Sequence, residues 1–158
     1  MATIDAELKA VLAPGSAVLA TGLGPEGPLI AGTATQLAAR TDDRWVVMGW
    51  HEVERGAWRA TTQRFQWTDL HGRSYEVELT DPGRMPMLFR ERVQASTLYT
   101  VQYDLPVGEV RIVLRRALDA SADVRCFAVP SGGADLADPQ TAALVVAETD
   151  RIRAEYGF

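Results

Sequence analysis

The sequence predicts an α+β protein: a seven-stranded antiparallel assembly capped by a helix, then a three-stranded antiparallel extension and a C-terminal helix. Three observations predict it. Residues 16–80 are short apolar runs rich in Val, Trp and Thr, punctuated by turn signals every several residues. Residues 81–96 switch to helical spacing, with Met85, Leu88, Phe89 and Val93 on one stripe and Arg90, Glu91 and Gln94 facing away. Beyond residue 97 three further runs, two of them strictly alternating, precede a segment with helix-cap signals at both ends.

Ile4, Leu8, Val11 and Leu12 follow one face of a short leading helix that Pro14 and Gly15 end. The seven strands fall at 17–23, 29–34, 36–40, 45–50, 53–60, 64–68 and 74–80. "GPEGP" (24–28), "TDDR" (41–44) and "DLHGR" (69–73) form turns, because Asp and Gly tolerate left-handed backbone; Gly72 is the residue expected at positive φ. After the 81–96 helix, Tyr99, Val101, Tyr103 and Leu105 alternate, as do Val110, Ile112 and Leu114, and "VRCFAV" (124–129) completes a meander. Asp138 caps the last helix, Pro139 occupies its first turn and Gly157 ends it, with Ala142, Val145, Thr149, Ile152 and Tyr156 on the packed face. Residues 1–96 thus carry the leading helix, seven strands and capping helix, and 97–158 carry the meander and last helix, packed on the same body.

At 158 residues, 47% hydrophobic and 23% charged, the chain has the composition of a globular protein able to bury a core without staples. A net charge of -5 argues against nonspecific attraction to nucleic acid or anionic lipid. Lys9 is the one lysine among 16 basic residues, a pattern of GC-rich coding. The N-terminus lacks the basic start and apolar core of a signal peptide, and no run approaches the ~20 residues of a membrane span, so a cytoplasmic location is expected. Cys126 stands alone in an apolar run and reads as a buried, inert thiol.

The stretch "WHEVERGAWRATTQRFQWTDLHGRSYEVEL" (50–79) holds three of the four tryptophans and both histidines. A hairpin centred near His71 puts Phe65, Trp67, Tyr75, Val77 and Leu79 on one face, and Gln66, Thr68, Glu76 and Glu78 on the other. The first set reads as core, the second as a wet face. Gly56 breaks the alternation of "EVERGAWRA" and predicts a bulge, which either leaves Trp50 and Trp58 buried or turns one of them outward as a binding anchor. His51 and Glu52, adjacent on a strand, point to opposite faces and cannot act as a base with its orienting carboxylate. The two histidines, without clustered Cys or Asp, predict no metal site, and no cofactor is expected. No nucleophile elbow or phosphate loop occurs. Arg111 and Arg115 share a strand face near Arg125, and form the candidate recognition patch; the alternative is a solvated face paired with local acids.

Seven short strands followed by an amphipathic helix, with a Trp-centred strand before a hairpin, resemble the pleckstrin-homology-like (PH-like) barrel, a bent antiparallel sheet plugged by its helix. "GTATQLAAR", "WHEVERGAW", "DPGRMPMLFRERVQAS", "VRIVLRR" and "DPQTAALVVAETDRIRAEYG" resemble a family of uncharacterised actinobacterial proteins, over most of the chain from about Gly15. The resemblance brings no catalytic residue and implies a docking module for phospholipid headgroups, peptides or partner domains. Where lipid-binding members carry a basic loop between their first two strands, this chain has "GLGPEGP" with Glu26, which speaks against lipid. The expectation is a non-catalytic binding or scaffolding module acting on a protein partner or by self-association. The alternative is a receptor for a small anionic ligand or phosphometabolite at Arg111, Arg115 and Arg125. Trp50 and Trp58 are the candidate anchors of the first.

Overall fold

The structure, a computed structural model, describes residues 4–158, with side chains from residue 6 onward. The described residues are α+β, with three antiparallel sheets and, among them, no closed barrel of the kind the PH-like resemblance implies. The chain divides into two units: residues 1–96 with 117–122, and residues 97–116 with 123–158.

In the first unit, α1 (Ile4–Val11) leads into β1 (Ala20–Gly24), β2 (Gly27–Gly32), β3 (Gln36–Thr41) and β4 (Arg44–Gly49), a four-stranded meander. A 3-10 turn at Trp50–Glu52 leads to β5 (Val53–Arg59), β6 (Arg64–Asp69) and β7 (Ser74–Glu78), a three-stranded meander, and α2 (Met85–Ser96) follows. Leu23 at the end of β1 bridges Asp81 just after β7. The four-stranded sheet is covered on one face by Leu8 of α1 and Leu12 just after it, which pack on the facing alanines Ala31 and Ala38. The other face enters the main core with Ile30, Leu37 and Met48. Val11, expected on the packed stripe of α1, is exposed, because Leu8 and Leu12 alone reach the alanine pair; the Ile4 side chain lies outside the described residues.

Residues 42 and 43 both have positive φ (49° and 60°), so "TDDR" closes the β3–β4 hairpin with a two-residue turn of the type that follows strand twist. At the β6–β7 turn Gly72 has φ 89°, and the buried Asp69 carboxylate accepts the amides of His71 (2.9 Å) and Arg73 (3.0 Å) and the Tyr75 hydroxyl (2.8 Å). The register Phe65↔Val77 and Trp67↔Tyr75 puts the large rings on one face, as the parity requires. That face meets α2: the Phe89 ring makes edge contacts with Phe65 at 5.1 Å and Trp50 at 5.8 Å. Met85, Leu88 and Phe89 are buried and Val93 packs on the same core, so the helical stripe is the one read from spacing.

In the second unit β8 (Thr97–Asp104), β9 (Glu109–Arg116) and β10 (Val124–Ser131) form a sheet with β9 central, and α3 (Pro139–Tyr156) packs on it through Ile152 beside Ile112 and Leu114. The α3 caps are as the sequence requires: Asp138 accepts the Thr141 amide at 3.1 Å, and Gly157 takes the left-handed conformation at φ 74°. Tyr99 leans on Tyr156, and Tyr103 donates to Glu148. Cys126 lies in an edge strand and is half-buried; burial pushes its thiol pKa up, which suppresses the nucleophilic thiolate.

Candidate functional site

The wet face of β5–β6–β7 is set by a single irregularity. Val53 pairs with Asp69 and Arg55 with Thr68, so Glu54 is an extra residue in β5. The bulge therefore falls at Glu54, two residues before Gly56. Gly56 continues the ladder opposite Trp67, and its missing side chain admits the Phe89 ring. The bulge shifts the parity of β5. Trp58, opposite Phe65, comes to the core side, and Arg55, Ala57 and Arg59 form a row on the other.

That row borders a groove of 880 Å³ whose lining also includes Gln66 and Thr68 of β6, Ser74 and Glu76 of β7, and Thr41 and Asp42 of the β3–β4 hairpin. Trp67 and Tyr75, stacked at 5.3 Å with planes 14° apart, belong to its lining as well. Trp67 is 2% exposed, and its buried indole N–H has no acceptor among the described residues. The indole stacks on Tyr75, makes a tilted contact with Phe65 and is buried, so it offers no stacking platform to a ligand. Side-chain hydrogen bonding sets the character of the groove.

Gln66 donates to Glu76 at 2.6 Å, and Arg64 also pairs with Glu76. The Gln66 hydrogen bond first, then the Arg64 cation, hold the Glu76 carboxyl below its ordinary value, so it stays charged and is committed within the sheet. Thr68 donates to Glu54 at 2.9 Å. Burial, reinforced by the hydrogen bond to Asp69, pushes the Tyr75 phenol up and keeps it a neutral donor. The arrangement presents donors, acceptors and two exposed guanidinium groups on one sheet face. Among the residues lining the groove there is no His or Cys, and among the described residues no three His, Cys, Asp or Glu side chains gather as metal ligands do.

The residues singled out by sequence lie elsewhere. Trp50 is 0% exposed: it is on the 3-10 turn rather than at a strand end, and donates its indole N–H to the Thr33 carbonyl at 2.9 Å. As a core residue it is not an anchor for a partner. Trp58 is half-buried against the same core. His51 is also on the 3-10 turn, so strand parity does not govern it, while His71 is exposed at the hairpin tip as expected. Arg111 and Arg115 do share a face of β9, and Arg125 is directly opposite Arg115 on β10. That face is solvated only in part: Arg115 is 4% exposed and the intervening Val113 2%, while Arg111 is half-buried and Arg125 exposed. A central strand can be buried on both sides, and alternation distinguishes two faces without saying that one is wet. Each of the three arginines already makes an interaction within the chain.

The chain matches no protein-family model, no curated protein and no solved structure. The sequence separates Gln66, Thr68 and Glu76 as the wet face of a hairpin, but Arg55, Ala57 and Arg59 join them only through the Glu54 bulge, which carries no Gly or Pro signal.

Proposed function

We infer that the chain is a non-catalytic cytoplasmic binding module whose docking surface for a partner protein is the groove along β5, β6 and β7. The observation that carries this reading is the groove itself: 880 Å³, open, and lined by hydrogen-bonding side chains across one face of the three-stranded sheet. Enclosed, mainly apolar pockets suit small ligands, whereas this open surface with hydrogen-bonding side chains suits a polypeptide. The architecture we favour is PH-like: a four-stranded and a three-stranded meander bridged between Leu23 and Asp81, with a helix packed on the shared core, support it. The net charge of -5 and the acidic Glu26 turn favour protein over nucleic acid or membrane lipid. A receptor built on Arg111, Arg115 and Arg125 has less support, because Arg115 is buried and all three arginines are engaged.

Affinity capture from the source cell with wild type and with Ala57→Trp tests the reading. Ala57 is exposed and lines the groove, so a large ring there fills the groove without entering the core. The expected result is a partner retained by wild type and lost by the variant at unchanged Tm. Retention of the same partners by Ala57→Trp would contradict it.

A further inference from the structure

The β5 wall of the groove has a specific charge pattern. Strand β5 pairs with β6 on one side, and among the described residues the stretch from Arg55 to Arg59 makes no backbone bond to any other strand. Arg55, Gly56, Ala57 and Arg59 are exposed. Arg55 meets Glu54 at 3.9 Å with its side chain 76% exposed, a contact of little energetic weight. Arg59 makes no ion pair among the described residues, whereas Arg64, directly opposite it, is taken by Glu76. Two weakly engaged guanidinium groups thus stand on one strand face, about 13 Å apart from the rise of a β-strand, with the methyl of Ala57 between them.

We propose that an extended acidic segment of a partner protein adds to the free edge of β5 as a further strand, so that the side chains on one of its faces continue the sheet face that bears the groove. It carries carboxylates four residues apart, opposite Arg55 and Arg59. This rests on reading the groove as the docking surface. Residues directly opposite on paired strands bring their Cβ atoms to about 5 Å, so a strand beside β5 reads Arg55 and Arg59 with its residues i and i+4. Its residue i+2 faces Ala57, where a small side chain fits. A single phosphate cannot bridge two cations this far apart, which disfavours a small anion. A second copy of this chain is disfavoured by symmetry. Antiparallel self-pairing of β5 about Ala57 places Arg55 of one copy opposite Arg59 of the other, and like charges in direct opposition destabilise a strand pair.

The test uses the full chain and three dye-labelled seven-residue peptides of Thr with a central Ala. One carries Glu at its second and sixth positions, one Glu at the second and fifth, and one Lys at the second and sixth. Fluorescence anisotropy at low salt is expected to register binding of the first peptide, weaker binding of the second, whose carboxylates fall on opposite faces, and none of the third. Arg59→Glu should weaken the first peptide about fivefold, and Arg55→Glu with Arg59→Glu should invert the preference toward Lys. Both variants change exposed side chains, and their Tm checks the fold. Equal affinity for the two Glu spacings, a preference untouched by the charge reversals, displacement of the peptide by equimolar inorganic phosphate, or no binding of any peptide would overturn the proposal. If Ala57→Trp abolishes capture of the cellular partner while the peptides fail, the acidic-strand proposal falls and the groove reading stands. If Ala57→Trp leaves capture intact, both fall.

Discussion

A methyl group added at Gly56 would lie 2.7 Å from the Phe89 ring and 2.9 Å from the Gln66 carbonyl, so the glycine is required by the helix packed across β5. Gly56→Ala is expected to destabilise by about 1–3 kcal/mol through overpacking, measured as a lower urea midpoint at unchanged slope. Asp69 serves three donors from a buried position, and Asp69→Ala leaves the His71 and Arg73 amides and the Tyr75 hydroxyl without their acceptor. A loss of about 1–3 kcal/mol follows for such unsatisfied groups, and slower refolding of the β6–β7 hairpin would accompany it. The titrating residues give a direction at each end of the pH range. Tyr75, by burial, and Tyr103, by its hydrogen bond to Glu148, are both held above the ordinary value of 10.0. A group whose folded pKa is raised contributes fully below its unfolded pKa and loses that contribution as pH rises through the folded one. Stability should therefore decline above pH 10, and Tyr75→Phe should flatten that decline in chemical denaturation at pH 9 and 11. Glu76 and Glu148 are held below their ordinary 4.5, by Gln66 and by Tyr103 respectively, so their contribution is present above pH 4.5 and is lost as pH falls through the folded values.

The elements differ in how far local sequence determines them. The β6–β7 hairpin is legible because three signals agree: alternation, the Asp and Gly of its turn, and the length that sets Phe65 opposite Val77. The C-terminal helix is legible from its caps, and Asp138→Ala should cost about 1 kcal/mol, read as lost thermal stability and as fraying of α3 at Thr141 in hydrogen exchange. The bulge of β5 is a different case. Gly56 is the one residue in that strand with a backbone signal, yet it is an ordinary ladder residue emptied for Phe89, while Glu54 carries the irregularity with no special φ. The bulge is decided by the need to bring both Val53 and Trp58 to the core, a tertiary requirement invisible to a local window. Trp50 follows the same logic. Its run reads as a strand, but the chain turns there so that the indole reaches the Thr33 carbonyl and the Phe89 edge.

At the scale of the whole molecule, alternation along β9 assigns Arg111, Arg115 and Val113 to one face correctly and leaves the fate of that face open. Arginine can be buried when its guanidinium is engaged, so a cationic row on a central strand is a weak sign of a ligand. The row on β5 has the opposite character: exposed, at an edge, and beside a groove. The candidate surface accordingly lies in the first unit, where charge spacing and strand parity set what a complementary strand must carry. The most direct measurement is hydrogen–deuterium exchange on the full chain, alone and with its captured partner bound. Slowed exchange at the amides of residues 55–59, with α1 unchanged, is the expected result. Unchanged exchange along β5, or protection confined to another strand, would contradict it.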